Sequence, residues 1–116
     1  MSTASRGRSK YRAVPTVVDG IRFASKAEAR RWGELKLLQK AKKIGTVSFQ
    51  WPYDLSVFGI DGNQQIIGRY VADFCYRTEP DFVMVVEDVK GFRTPLYKWK
   101  KKHFEAQYGI KITEVK

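Results

Sequence analysis

Hydrophobic positions along this chain repeat first at helical spacing, then at every second residue, then at helical spacing again. The stretch "SKAEARRWGELKLLQKAKKIG" places Trp32, Leu35 and Leu38 on one face of a helix. Ser25 suits its N-cap, Gly45 its end, and Lys40, Lys42 and Lys43 the negative end of its dipole. Ahead of it, "VPTVVDGIRF" reads as short apolar pieces joined by a turn at Asp19-Gly20. After Gly45 the period drops to two. "TVSFQWPYDLSVFGI" reads as a strand whose Pro52 fits an edge or a bulge. "IDGN" is a turn, "QQIIGRYVADFCYR" a second strand, "TEPD" a turn and "FVMVVEDVK" a third strand. Thr94 and Pro95 then open a second helix as N-cap and first helical residue, and it stops at Gly109. Its core stripe is Tyr97, Phe104 and Tyr108, and "IKITEV" closes the chain as a short strand. The expected fold is α/β: helix, three strands, helix and strand around one mixed sheet, with no internal repeat.

A length of 116 residues suits one domain, expected over 13–116, behind a mobile basic arm over 1–12. Charge adds more. Twenty-two Lys and Arg against twelve Asp and Glu give a net +10. That balance favours a polyanionic partner, nucleic acid before an anionic membrane, over a merely basic soluble protein. A single cysteine, Cys75, and a single histidine, His103, exclude a disulfide framework and a Cys/His zinc site. Cys75 reads as a small buried side chain, and His103 as a phosphate contact or a surface residue. The opening "MSTASRGRSK" leads into no apolar run and no later segment could span a bilayer, so a cytoplasmic, soluble protein is expected.

The third strand turns polar before Gly91. Alternation points Asp88 and Lys90 to one side, Glu87 and Val89 to the other. Glu87 is therefore expected to be solvated or ion-paired. If the second and third strands form a hairpin, Asp73 lies near Asp88 at one edge of the sheet. Two carboxylates beside a lysine suit a hard divalent cation and a water aimed at a phosphodiester. The plainer alternative is an Asp88–Lys90 ion pair at a strand end, with Asp73 solvated.

The order of elements, with "ADF" on one strand and "DVKG" on the next, resembles the common core of the PD-(D/E)XK, or restriction-endonuclease-like, nucleases. The resemblance runs from about Ser25 to Val115, and Ala72 stands where proline often does. The fragments "SKAE", "WPY", "ADF", "DVKG" and "KKH" also follow the order found in the phage endonuclease I family of Holliday-junction resolvases. The chain is similar as well to small phage and prophage proteins predicted to be nucleases. These resemblances imply Mg²⁺-dependent cleavage of DNA, Mn²⁺ substituting, with branched DNA as substrate and a homodimer as the working form. They imply Asp73, Asp88 and the Val89 carbonyl as metal ligands and Lys90 as the group that positions water. They imply Glu28 as a direct or outer ligand, although Ser25-x-x-Glu28 is also a capping box. Nicking, flap-cutting and mismatch-cutting enzymes share this mechanism, and a DNA-binding protein without catalysis is the other class to weigh. On the second helix Lys98, Lys100, Lys101 and Lys102, with Arg93 before it, are the candidate contacts to the phosphate backbone; residues 98, 101 and 102 share a face.

Overall fold

The computed structural model describes residues 14–116, so the basic arm expected over 1–12 lies outside the described residues. In chain order come β1 (Thr16–Val18), β2 (Ile21–Phe23), α1 (Lys26–Lys40), β3 (Ser48–Phe58), β4 (Gln64–Arg77), β5 (Met84–Val89), α2 (Pro95–Tyr108) and β6 (Ile112–Val115). The fold is α/β. β3, β4, β5 and β6 form a mixed sheet in that order, antiparallel except for the parallel β5–β6 pair. That parallel pair is joined through α2, which spans the crossover such a connection needs. β1 and β2 pair as a separate hairpin, so the expected single sheet is in fact two. The hairpin is too short to stand alone. It is tied to α1 where the Trp32 indole N–H donates to Asp19 at 2.8 Å. Among the described residues no helix is long and apolar enough to cross a membrane.

α1 begins as expected, Ser25 accepting from the Glu28 N–H at 3.1 Å. It ends earlier than expected. The last helical residue is Lys40, Lys42 takes a left-handed φ of 61°, and the Gly45 N–H bonds to the Arg77 carbonyl at 2.8 Å. Gly45 thus joins the chain to the start of the sheet rather than capping the helix. Leu38 is exposed; Ala29, Trp32 and Leu35 are the buried face. That stripe drifts because 3.6 residues per turn carries position 38 round toward solvent. α2 follows its expected caps, with Thr94 accepting from the Tyr97 N–H at 3.0 Å and Gly109 left-handed at φ 69°. Pro52 sits on edge strand β3, where its missing N–H costs the sheet nothing, while the irregularity in register falls later, between Leu55 and Ser56.

The helices cover opposite faces. One core gathers Phe23, Trp32, Leu35, Phe74 and Tyr76 beneath α1. The other gathers Leu55, Tyr70, Ala72, Val86 and Phe104 beneath α2. Ala72 and Phe74 are two residues apart and should share a face, yet they enter different cores. Across the hairpin the same switch occurs: Phe49 packs on Trp32 and Tyr53 on Phe104. Both strands break their pleat together at the unpaired position between these partners, where Gln50 has φ 48° and Asp73 stands opposite. The long hairpin thereby serves both cores.

Candidate active site

The final residues of β5 are sorted by alternation between the two faces. Val86 and Asp88 go to the α2 side and Glu87 to the α1 side. Glu87 is buried and not solvated. Arg31 of α1 grips it with Nε at 2.8 Å and Nη2 at 2.7 Å, and the Tyr76 hydroxyl donates to the same carboxylate. Burial of this charge is tolerable only because both oxygens are met by donors. The contact with Glu87 and burial act in opposite directions on Arg31, and the contact wins, holding its guanidinium firmly protonated.

On the other side, Asp88 is 2% exposed, with the Tyr70 hydroxyl donating to it at 2.6 Å and the Lys90 ammonium at 3.1 Å. The Lys90 ammonium also sits 4.2 Å from the centre of the Tyr97 ring. β4–β5 pairing runs as far as Phe74↔Glu87, so Asp73 is the next residue at the point where the ladder stops. There the Val89 N–H donates to the Asp73 carboxylate at 2.7 Å. A side chain has replaced a strand as acceptor, and this turns Asp73 inward beside Asp88. Tyr70, Asp73, Asp88, Lys90, Tyr97 and Lys100 are among the walls of an open cleft of about 260 Å³.

The two carboxylates crowd each other. Burial first, then the charges of Asp88 and Glu28, push the Asp73 carboxyl up to about 8, against the pull of the Val89 N–H. Burial likewise raises Glu28; a backbone hydrogen bond at Ala24 opposes it, Asp88 adds to the rise and Lys90 offsets part of it. Glu28 is thus within electrostatic reach of the pair but is not part of the cleft wall. The Tyr70 hydroxyl is pushed up by burial and by the Asp88 charge, so it acts only as a donor. Among the described residues no group of three or more His, Cys, Asp and Glu side chains is drawn together as a ready metal cage. The donor chemistry of Asp73 and Asp88 nevertheless suits a hard divalent cation, which would relieve the repulsion that a proton now relieves. Val89 is joined to this group through its N–H.

The basic residues are divided. Lys100 faces the cleft. Lys101 is paired with Glu105 at 2.9 Å, and Arg93 with Glu114 at 2.6 Å. Arg93 therefore ties the approach to α2 to β6, Lys101 is tied within its own helix, and both reach a phosphate only by leaving a carboxylate. Lys98 and Lys102 are exposed. His103 bonds through Nε2 to the Ser56 carbonyl at 2.9 Å, away from the cleft. Tyr70, and Tyr97, expected only as part of the α2 core stripe, are what hold Asp88 and Lys90. Their positions 18 and 7 residues from those partners carry no local periodicity that would single them out.

No curated protein and no solved structure matches the sequence. A family model matches residues 8–115, which takes in both helices, the whole mixed sheet and every residue of the cleft. The chain belongs to the family described as protein of unknown function (DUF1064).

Proposed function

We propose that this protein is a metal-dependent endodeoxyribonuclease with a restriction-endonuclease-like core, acting on branched DNA in the cytoplasm of a phage-bearing bacterial cell. The observation that carries the reading is the Asp73–Asp88 pair facing one cleft with Lys90 at 3.1 Å from Asp88. The order helix, antiparallel strands, helix and parallel strand supports it, as does a net charge of +10. Asp73 and Asp88 would hold Mg²⁺, or Mn²⁺ in its place, with Glu28 in support; the ion would supply Lewis-acid stabilisation of charge on the scissile phosphate.

The remaining work falls to side chains. Tyr70 keeps Asp88 in one rotamer by donating to it. Lys90, held between Asp88 and the Tyr97 ring, presents an ammonium that can orient a water and take up charge beside it. Lys100 at the cleft wall suits a phosphate oxygen. Two such centres in a homodimer would meet the two symmetric strands of a junction.

The test uses synthetic junction, flap, linear duplex and single strand, each with Mg²⁺ and with chelator. Cleavage of the branched substrates is expected with the metal and none without it. Lys90→Ala should lower the rate by about 10²-fold or more while DNA affinity stays within about twofold. Full activity in that variant would remove the site from consideration. Binding without cleavage in any metal would make this a DNA-binding protein on a nuclease-like fold.

A further inference from the structure

Beside the cleft, α2 carries a stripe that neither core uses. Trp99, Lys100 and His103 lie three, four and seven residues after Leu96, and so share a face with it. Leu96 and Lys100 line the cleft itself. Leu96 is 60% exposed and Trp99 45%, an unusual outlay of apolar surface on a helix with four lysines. Trp99 is also propped. Its ring centre lies 5.5 Å from that of His103, which is anchored in turn to the Ser56 carbonyl of β3 at 2.9 Å. An aromatic face held in place in this way loses little freedom when something stacks on it.

Charge identifies the occupant. Lys98, Lys100 and Lys102 flank Trp99 in sequence, and none of them is ion-paired among the described residues. Another exposed apolar surface, around Phe58, Ile60 and Ile66 at the β3–β4 tip, is different: residues 55–68 contain no Lys or Arg and only Asp61 as a charge. That tip has nothing to offer a polyanion. The α2 stripe combines an exposed indole with cations, the pairing that binds bases whose flat faces are free.

We infer that the Leu96–Trp99 stripe of α2 is a stacking platform for unpaired nucleotides next to the cleavage cleft. It rests on the nuclease reading for its ligand class and adds to it the source of preference for branched DNA. A junction or flap supplies unstacked bases at the branch, and an intact duplex does not. Trp99 discriminates between them, while Lys100 contributes sequence-independent attraction to phosphate.

The test measures binding, in chelator, to labelled single strand, bulged duplex and blunt duplex. Trp99→Leu keeps an apolar side chain but removes the aromatic face. It should weaken single-strand and bulged-duplex binding by about tenfold and blunt-duplex binding by less than about twofold. Its salt slope on single strand should be unchanged, whereas Lys100→Ala should flatten that slope by about 0.7. Trp99→Phe should restore most of the preference. Equal loss on all three DNAs, or no loss on any, overturns the platform while leaving the nuclease reading in place. Failure of the unaltered protein to bind any of them overturns both.

Discussion

Asp73→Asn should make the metal-free protein more stable at neutral pH, although it removes a carboxyl group that accepts a hydrogen bond. In the folded chain the Asp73 carboxyl titrates at about 8, raised by burial and by its neighbours Asp88 and Glu28. In the unfolded chain it titrates near 3.9. Between those values the folded state keeps a proton that the unfolded state has lost, so stability falls as pH rises through the window. The ceiling at pH 7 is about three pH units of differential protonation at 1.36 kcal/mol each, or roughly 4 kcal/mol; water reaching the open cleft reduces this to about 2–4 kcal/mol. Asparagine keeps the shape of the protonated acid. Its oxygen still accepts from the Val89 N–H and its amide can donate toward Asp88, with no charge to repel. For a domain of this size the gain is roughly 10 °C in Tm at pH 7. The assay is thermal unfolding in chelator at pH 5.5, 6.5 and 7.5. Unaltered protein should lose about 1 kcal/mol per pH unit across this range, and the variant much less. Glu114, held down at about 2 first by its hydrogen bond to Arg93, works with the opposite sign, but its contribution is complete above pH 5.5. Glu28, raised by burial, acts with the same sign as Asp73 and is present in both proteins. A flat profile for the unaltered protein, or an equally steep one for Asp73→Asn, refutes the crowded-carboxylate account.

Glu28→Gln separates the helix cap from the cleft: the Ser25 side chain still caps the Glu28 position through its backbone N–H, so Tm should change by no more than about 3 °C. Loss of metal-dependent cleavage at that Tm assigns Glu28 to the metal, and unchanged cleavage confines it to the helix start. Glu87→Gln should destabilise the fold by about 2–4 kcal/mol, because Arg31 loses the anion that its guanidinium grips in the interior. Chemical denaturation checks this, with Glu34→Gln, whose exposed carboxylate also pairs with Arg31, as a comparison expected to cost less than about 1 kcal/mol.

Much of the architecture was legible in local pattern. The Ser25 and Thr94 caps, the Pro95 start and the Gly109 stop of α2, and the strand periods each depend on residues within a turn or two of one another. Alternation also put Asp88 and Lys90 on one side of β5 with Glu87 on the other, which the ion pairs of the folded chain reproduce. What alternation could not reveal was the depth of each side. Glu87 reads as a polar residue near a strand end, and only α1, 56 residues away at Arg31, makes it a buried anion. α1 also stops early, at Lys40, where Lys42 turns left-handed and the Lys42 and Lys43 N–H groups bond back to the Gln39 and Leu38 carbonyls, a cap that lysine does not announce in sequence.

The site depends most on what was least local. Asp73 looks like one polar residue in an apolar strand, and its role comes from a break in the pleat shared with Gln50 across the hairpin. That break lets one pair of strands supply Phe74 to one core and Ala72 to the other, and it leaves Asp73 free to accept from Val89. Arg93 shows the converse. Sequence counts it as a free cation, whereas the approach of β6 gives it Glu114; Lys101 pairs with Glu105 four residues on in its own helix, a partner that spacing alone offers. Residue type and spacing determined which elements form and which groups could carry chemistry. Tertiary structure decided which of those groups are dry, which are paired and which face the same cleft, because desolvation and ion pairing act through space and not along the chain.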